Sequence, residues 1–187
     1  MIHDHYLDIH LLADPEFAPD QLLRALFAKL HRGLVTLGSG EVGISLPAHS
    51  ARGLGDHLRL HGSLHALGTL QALEWLTGMR DHVRLGEIQP VPAGCRHRCV
   101  SRVQVDSNPG RLRRRLMRRH GLDEDTALQR IPDSAMRLTH LPWIEMRSQS
   151  NGQRFRLFID HCPLQENPTP GTFNGYGLSS TATIPWF

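Results

Sequence analysis

Thirteen histidines and three cysteines are the residues of this 187-residue chain best suited to chemistry, and a metal site is the first chemistry they suggest. Cys95-x-His97-x-Cys99 has the right ligand types. Structural zinc, however, prefers CxxC-type spacing with a second ligand pair, and none is evident. His3, His5 and His10 lie on or just before one alternating segment, which turns His5 and His10 to opposite faces. No HExxH or Walker pattern occurs, and Gly171, Gly175 and Gly177 lack the Lys-Ser/Thr of a phosphate-cradling loop. No metal or other cofactor is therefore expected. Nucleophilic catalysis has no better footing, because there is no GxSxG. What remains is acid–base chemistry by histidine, whose ordinary pKa lies near neutrality. RNA is a substrate for which that suffices. It carries its own nucleophile, the 2′-hydroxyl. A protein that cuts it needs a base, a group to fix the hydroxyl, and donors for the phosphate.

The elements that would position such groups follow from periodicity. His5–Leu12 alternates as a half-buried strand does. Asp20–Leu37 is the clearest helix, with Leu23, Phe27, Leu30, Leu34 and Leu37 spaced as one apolar stripe. His31 sits beside that stripe, four residues after Phe27. As a residue it fits an interfacial packing role as well as a base. Val42–Leu46 and Leu58–Gly62 read as strands, Leu64–Leu76 as a weaker helix, and Val83–Val91 as a strand. The order βαββαβ is the ferredoxin-like split βαβ motif. Pro90, Pro92 and Gly94 mark a boundary, so residues 1–94 are expected as a ferredoxin-like domain and 95–187 as a second domain. The second begins with the strand Cys99–Val105, on which Arg102 and Gln104 share a face. Ile144–Ser150 and Arg154–Asp160 form a hairpin around Asn151-Gly152. Ser148 there reads as a strand serine, and Phe155 as core or as a stacking aromatic. Tyr176 lies between two glycines of the tail. The fold class is α+β.

The chain's basicity is concentrated. Six of the nine residues from Arg111 to Arg119 are arginine. Asn108 and Pro109 give an N-cap and first helical residue, and Gly121 a stop. Over about 108–120, Arg111, Arg114, Arg115, Arg118 and Arg119 fall on one arc of roughly 140°, with Leu112 and Leu116 opposite. No acid within the helix pairs with them at i+3 or i+4. Nine arginines and one acid between Arg96 and Arg119 give a local +8 inside a net charge of +3. A confined basic patch is the footprint of nucleic-acid binding. Of 21 basic residues only Lys29 is lysine, and arginine offers planar, bidentate donors to phosphates and guanine edges. Length and composition are those of a globular protein with a real core. Three sparse cysteines point to a reducing cytoplasm. No apolar run is long enough to span a membrane.

Several ordered motifs carry a resemblance. HYLDIHL near the start, LFAKLH ending at His31, VGISLP, VSRVQVDSNPGRLRRRLMRRH, RSQSNGQRFRLFI, GYGLSS and the terminal PWF resemble the CRISPR repeat-RNA processing endoribonucleases of type I-F systems. Residues 48–98 match only loosely, and Gly110 stands where a longer polar residue is expected. The resemblance implies a ferredoxin-like domain joined to a domain with an arginine-rich helix. It implies binding of the repeat stem-loop and one metal-independent cut at the 3′ base of the stem. The product carries a 2′,3′-cyclic phosphate and stays bound, and the enzyme joins the other subunits of the interference complex. By position, His31 is the implied general base, Ser148 holds the 2′-hydroxyl, and Tyr176 orients the histidine. Arg102 and Gln104 are implied to read base edges, and Phe155 to stack on the terminal pair. Arg114, Arg115, Arg118, Arg119 and His120 are implied to lie in the major groove, with Arg111 on the same basic face. A non-catalytic hairpin-RNA-binding module and a DNA-binding regulator remain alternatives.

Overall fold

The computed structural model describes residues 3–104, 109–131, 140–148 and 152–187. Among them are four α-helices and two antiparallel sheets. The first sheet is built from β1 (His5–Leu11), β2 (Gly43–Ser45), β3 (His57–Gly62), β4 (Val83–Leu85) and β5 (Gln89–Pro90). Its order is β2-β3-β1-β4, with β5 continuing β4's place beside β1. This order, with helices after β1 and β3, is compatible with the ferredoxin-like arrangement. Leu7, Ile9 and Leu11 point alternately into the core, as a period of two demands.

The helices α1 (Pro19–Leu37) and α2 (Leu64–Ala72) connect these strands. Leu23, Phe27, Leu30 and Leu34 of the expected stripe are buried, together with Leu22 and Leu26. Gly33 lets α1 approach α2 closely, since a Cβ there would lie 3.1 Å from Trp75 and 3.2 Å from Leu70. Gly38, at φ +67°, ends α1 by donating its N–H to the Leu34 carbonyl. The helix expected to reach Leu76 stops at Ala72 and continues as turns. Trp75, Leu76 and Met79 are buried there, so the apolar pattern ran on while the helix did not. The strand expected over Val83–Val91 is split at Gly86. That residue donates its N–H to the Asp8 carbonyl, which a Cβ would approach to 3.3 Å.

The second sheet runs β7-β8-β6-β9, from β6 (Arg96–Val103), β7 (Trp143–Arg147), β8 (Arg154–His161) and β9 (Thr183–Trp186). β6 ends at Val103, and Val105 lies outside the described residues. β9, at the end of the chain, pairs with the first half of β6, and Ile184 is fully buried. In the hairpin β7–β8 Met146 lies opposite Phe155 and Arg147 opposite Arg154, two residues away from the register that a two-residue Asn151-Gly152 turn would set. Asn151 of its turn lies outside the described residues, while Gly152 has φ +68°. By packing, 1–103 and 141–187 form one compact unit holding both sheets, and 104–140 form another. The expected boundary at residue 94 falls where the chain passes from the first sheet to the second.

Unit 104–140 contains α3 (Pro109–His120) and α4 (Glu124–Arg130). Asn108, the expected N-cap, lies outside the described residues. Gly121, at φ +62°, donates its N–H to the Met117 carbonyl and ends α3. The second helix starts at Glu124 because Asp123 is its cap, with its carboxylate accepting from the Thr126 N–H at 2.7 Å.

Candidate active site and nucleic-acid interface

His31 projects from the penultimate turn of α1 and is half-buried. Its Nδ1 lies 2.7 Å from the Gly175 carbonyl oxygen. A carbonyl only accepts, so Nδ1 carries the proton. In the neutral ring Nε2 is then an unprotonated acceptor, the form a general base requires. The Tyr176 ring stacks on the imidazole at 4.2 Å between centroids and 9° between planes. Phe155 meets Tyr176 edge-on at 6.5 Å. The Arg102 guanidinium lies 5.4 Å from the Phe155 ring centre. Four of the expected residues, from α1, β6, β8 and the tail, thus form one continuous row.

Two structural features hold the row. The tail turn is bound to its surroundings through Ile44, whose N–H donates to the Gly177 carbonyl at 2.9 Å, and through Phe173, whose N–H donates to the Gly40 carbonyl at 3.0 Å. The β7–β8 hairpin, which carries Phe155, is tied to α1 by the Arg24–Glu145 ion pair at 3.3 Å. Ser148 leaves β7 at the start of the hairpin turn and is half-buried. Its N–H donates to the Gln153 carbonyl at 2.8 Å, and its carbonyl accepts from the Gly152 N–H at 2.9 Å. Arg102 is exposed on β6.

Gln104, also exposed, belongs to the other compact unit. There, Arg114, Arg115, Arg118, Arg119 and His120 are all exposed on α3. Among the described residues none of the five makes an ion pair. The backbone of Arg111 is helical, but its side chain lies outside the described residues. Leu112, Leu116 and Met117 are half-buried on the opposite side, and Arg113 donates to the Ile131 carbonyl at 3.4 Å. The exposed arc and the docking side are those the helical period dictates.

Among the described residues, one group has metal-ligand spacing: Asp8, His10 and His57, with ligand atoms within 4.8 Å of one another. Arg59 already donates to both Asp8 oxygens, at 2.7 and 2.9 Å, and His57 shares one of them. Burial works to raise the Asp8 pKa, but these hydrogen bonds hold it below the usual carboxylate value. His3, His5 and Cys95-x-His97-x-Cys99 are not in that group. A G-x-G-x-x-G spacing at Gly38–Gly43 runs from a helix end into a strand, the reverse of the strand-to-helix order that cradles a pyrophosphate.

A family model described as CRISPR-associated protein (Cas_Csy4) matches residues 6–187. The chain belongs to the Cas_Csy4 family. It is similar to a protein of Pseudomonas aeruginosa (strain UCBPP-PA14) named CRISPR-associated endonuclease Cas6/Csy4. The two are 53% identical over 186 residues, which is 98% of this chain and 100% of the relative. A protein of the same name from Escherichia coli (strain UTI89 / UPEC) is 48% identical over 184 residues, with the same coverage. In this Cas_Csy4 chain, side-chain reasoning missed the Gly175 carbonyl, which fixes the tautomer of His31. The available signal was Asn174-Gly175-Tyr176-Gly177, a turn sequence next to a candidate site residue. Among the described residues no helix is long and apolar enough to cross a membrane.

Proposed function

We propose that this chain is a metal-independent endoribonuclease that binds the stem-loop of a CRISPR repeat RNA and cuts once at the 3′ base of the stem. The observation that carries the reading is the hydrogen bond from His31 Nδ1 to Gly175. It leaves Nε2 free to take the proton of the 2′-hydroxyl. The 2′-oxygen then bonds to phosphorus, the bond to the 5′-oxygen breaks, and that oxygen leaves with a proton as a 5′-hydroxyl. The upstream product ends in a 2′,3′-cyclic phosphate. The nucleophile belongs to the substrate, so the scheme needs no metal-bound water.

Each remaining group has a task in this scheme. Ser148 holds the 2′-hydroxyl, and Tyr176 keeps the imidazole plane in place by stacking. Phe155 stacks on the terminal base pair, while Arg102 and Gln104 read base edges at the foot of the stem. One bidentate arginine–guanine pair contributes about 1–3 kcal/mol of discrimination. Arg111, Arg114, Arg115, Arg118, Arg119 and His120 bind phosphates in the stem's major groove. An A-form major groove is too deep and narrow for most elements, but a helix with little apolar bulk fits near its open end. In this division of roles residues 1–94 supply the base and 95–187 the RNA contacts. The enzyme acts in the cytoplasm, keeps its product and joins the interference complex with it. The test is incubation of repeat hairpin RNA with the protein in EDTA: cleavage is expected, and intact RNA would favour a non-catalytic RNA-binding module.

A further inference from the structure

The Gly175 carbonyl that fixes His31 belongs to a peptide unit whose other end is also held. Carbonyl C=O of Gly175 and N–H of Tyr176 are parts of one planar group, and every described peptide is trans. The C=O and N–H bonds therefore point to opposite sides of one plane, and fixing one fixes the other. The Tyr176 N–H donates to Asn174 Oδ1 at 2.8 Å. The Gly175 oxygen accepts from His31 Nδ1 at 2.7 Å. The sequence of contacts runs from the Asn174 carboxamide, through the 175–176 peptide, to the imidazole and its free Nε2.

The clamp has a reason to be a side chain. Gly175 has no Cβ to limit its backbone, so the peptide after it turns easily. A stiffer residue in place of Gly175 would press on α1, because a Cβ would lie 3.0 Å from Val35 Cγ2 and 3.4 Å from His31 Cε1. Gly177 is held likewise, at φ +71° and with 2.6 Å from its would-be Cβ to Ile44. The turn must stay small to sit against α1, and Asn174 supplies the rigidity it lacks. Its Oδ1 also accepts from the Leu178 N–H at 3.3 Å. Its backbone closes the same turn, donating to the Leu178 carbonyl at 2.9 Å and accepting from the Gly177 N–H at 2.8 Å. Hydrogen bonds in series polarise one another, so the carboxamide also strengthens the carbonyl as an acceptor for Nδ1–H.

We infer that Asn174 is a positioning residue for the cleavage reaction, acting through the Gly175–Tyr176 peptide to hold the tautomer and orientation of His31. The inference rests on the reading of His31 as the base. Without the carboxamide the peptide rotates, Nδ1 loses its acceptor, and the neutral ring divides between two tautomers. Only one of them presents Nε2 as a base.

The test reads both tautomer and rate. In the wild-type protein, ¹⁵N shifts of the His31 ring should show Nδ1 protonated and Nε2 bare. Asn174→Ala should mix the tautomers and slow single-turnover cleavage of hairpin RNA by about 10–100-fold, part of what a positioned base contributes. Hairpin affinity should change by less than about 2-fold, since binding uses other residues. Asn174→Asp, which keeps an acceptor oxygen, should restore Nδ1–H and most of the rate on the pH plateau. Wild-type rate and tautomer in Asn174→Ala overturn the inference, and so does equal impairment of the Ala and Asp variants, including through misfolding. His31→Ala separates the two levels. If it cleaves like wild type, the base reading fails and the relay with it. If it is inactive while Asn174→Ala is unimpaired, only the relay fails.

Discussion

A single histidine reads as ambiguous in sequence because its role depends on which ring nitrogen is occupied. His31 was legible as a residue at the edge of an apolar stripe. The partner that decides its tautomer is a backbone carbonyl 144 positions away, and no side-chain pattern announces a carbonyl. Tyr176 was legible only as an aromatic between glycines; its stacking on His31 needs the tail folded back on α1. Gly175 carries a prediction of its own. Gly175→Ala places a methyl 3.0 Å from Val35 and 3.4 Å from His31, so α1 or the turn must give way. Cleavage by this variant should fall about tenfold or more, with a stability loss of about 1–3 kcal/mol typical of overpacking. Single-turnover rates and urea denaturation measure the two effects, and an unimpaired variant would show that the turn has slack.

Elements were legible where their own period defines them and less so where a distant partner does. The stripe of α1 and the arginine arc of α3 followed from 3.6-residue geometry. The end of α2 did not, because Trp75, Leu76 and Met79 continue the apolar pattern while the backbone turns, with Glu74 at φ +48°. β9 was hidden because its partner β6 lies more than 80 residues back and because Pro185 argues against a strand. Pro185 is tolerated since β9 is an edge of its sheet. The α3 prediction is electrostatic. Arg114, Arg115, Arg118 and Arg119 are exposed and unpaired among the described residues. Each one replaced by Gln should weaken hairpin binding across sequences and lower the slope of log K against log salt by about 1. Anisotropy titrations across salt concentrations test this. An unchanged slope in the fourfold variant would remove α3 from the interface.

At the scale of the molecule, histidines bear on stability as well as chemistry. The fold keeps several of them neutral. His61 is fully buried, and burial pushes its pKa well below 6.5. Burial, with His49 and Arg98 nearby, lowers His161 to about 3. His161 stacks on His49 at 3.6 Å and has Trp186 edge-on at 5.6 Å. The unfolded chain takes up protons at these sites as pH drops below about 6.5, while the folded chain does not. Stability is therefore complete above that value and declines as pH falls toward His161's own pKa of about 3. The melting temperature should fall between pH 7 and 5, at about 2–4 °C per kcal/mol lost. His161→Phe, which keeps a ring and removes the titration, should flatten that decline; an unchanged slope would assign it to other groups. The strand order of the first sheet, compatible with the ferredoxin-like arrangement, was legible from βαββαβ. The grouping of both sheets into one compact unit was not, because it rests on long-range contacts such as Arg24–Glu145 between α1 and β7 and the Ile44 N–H to the Gly177 carbonyl.

In the proposed reaction His31 Nε2 takes the proton from the RNA's own 2′-hydroxyl. Single-turnover cleavage of repeat hairpin RNA in EDTA, with binding measured alongside, tests it most directly when His31→Ala and a hairpin carrying 2′-deoxyribose at the cut position are compared with their parents. The expected result is a cyclic phosphate from the wild-type pair, with loss of about 10²–10⁴-fold in rate for His31→Ala. The deoxy substrate should be bound but uncut. Cleavage of the deoxy hairpin, or wild-type cleavage by His31→Ala, would rule out His31 as the base acting on the 2′-hydroxyl.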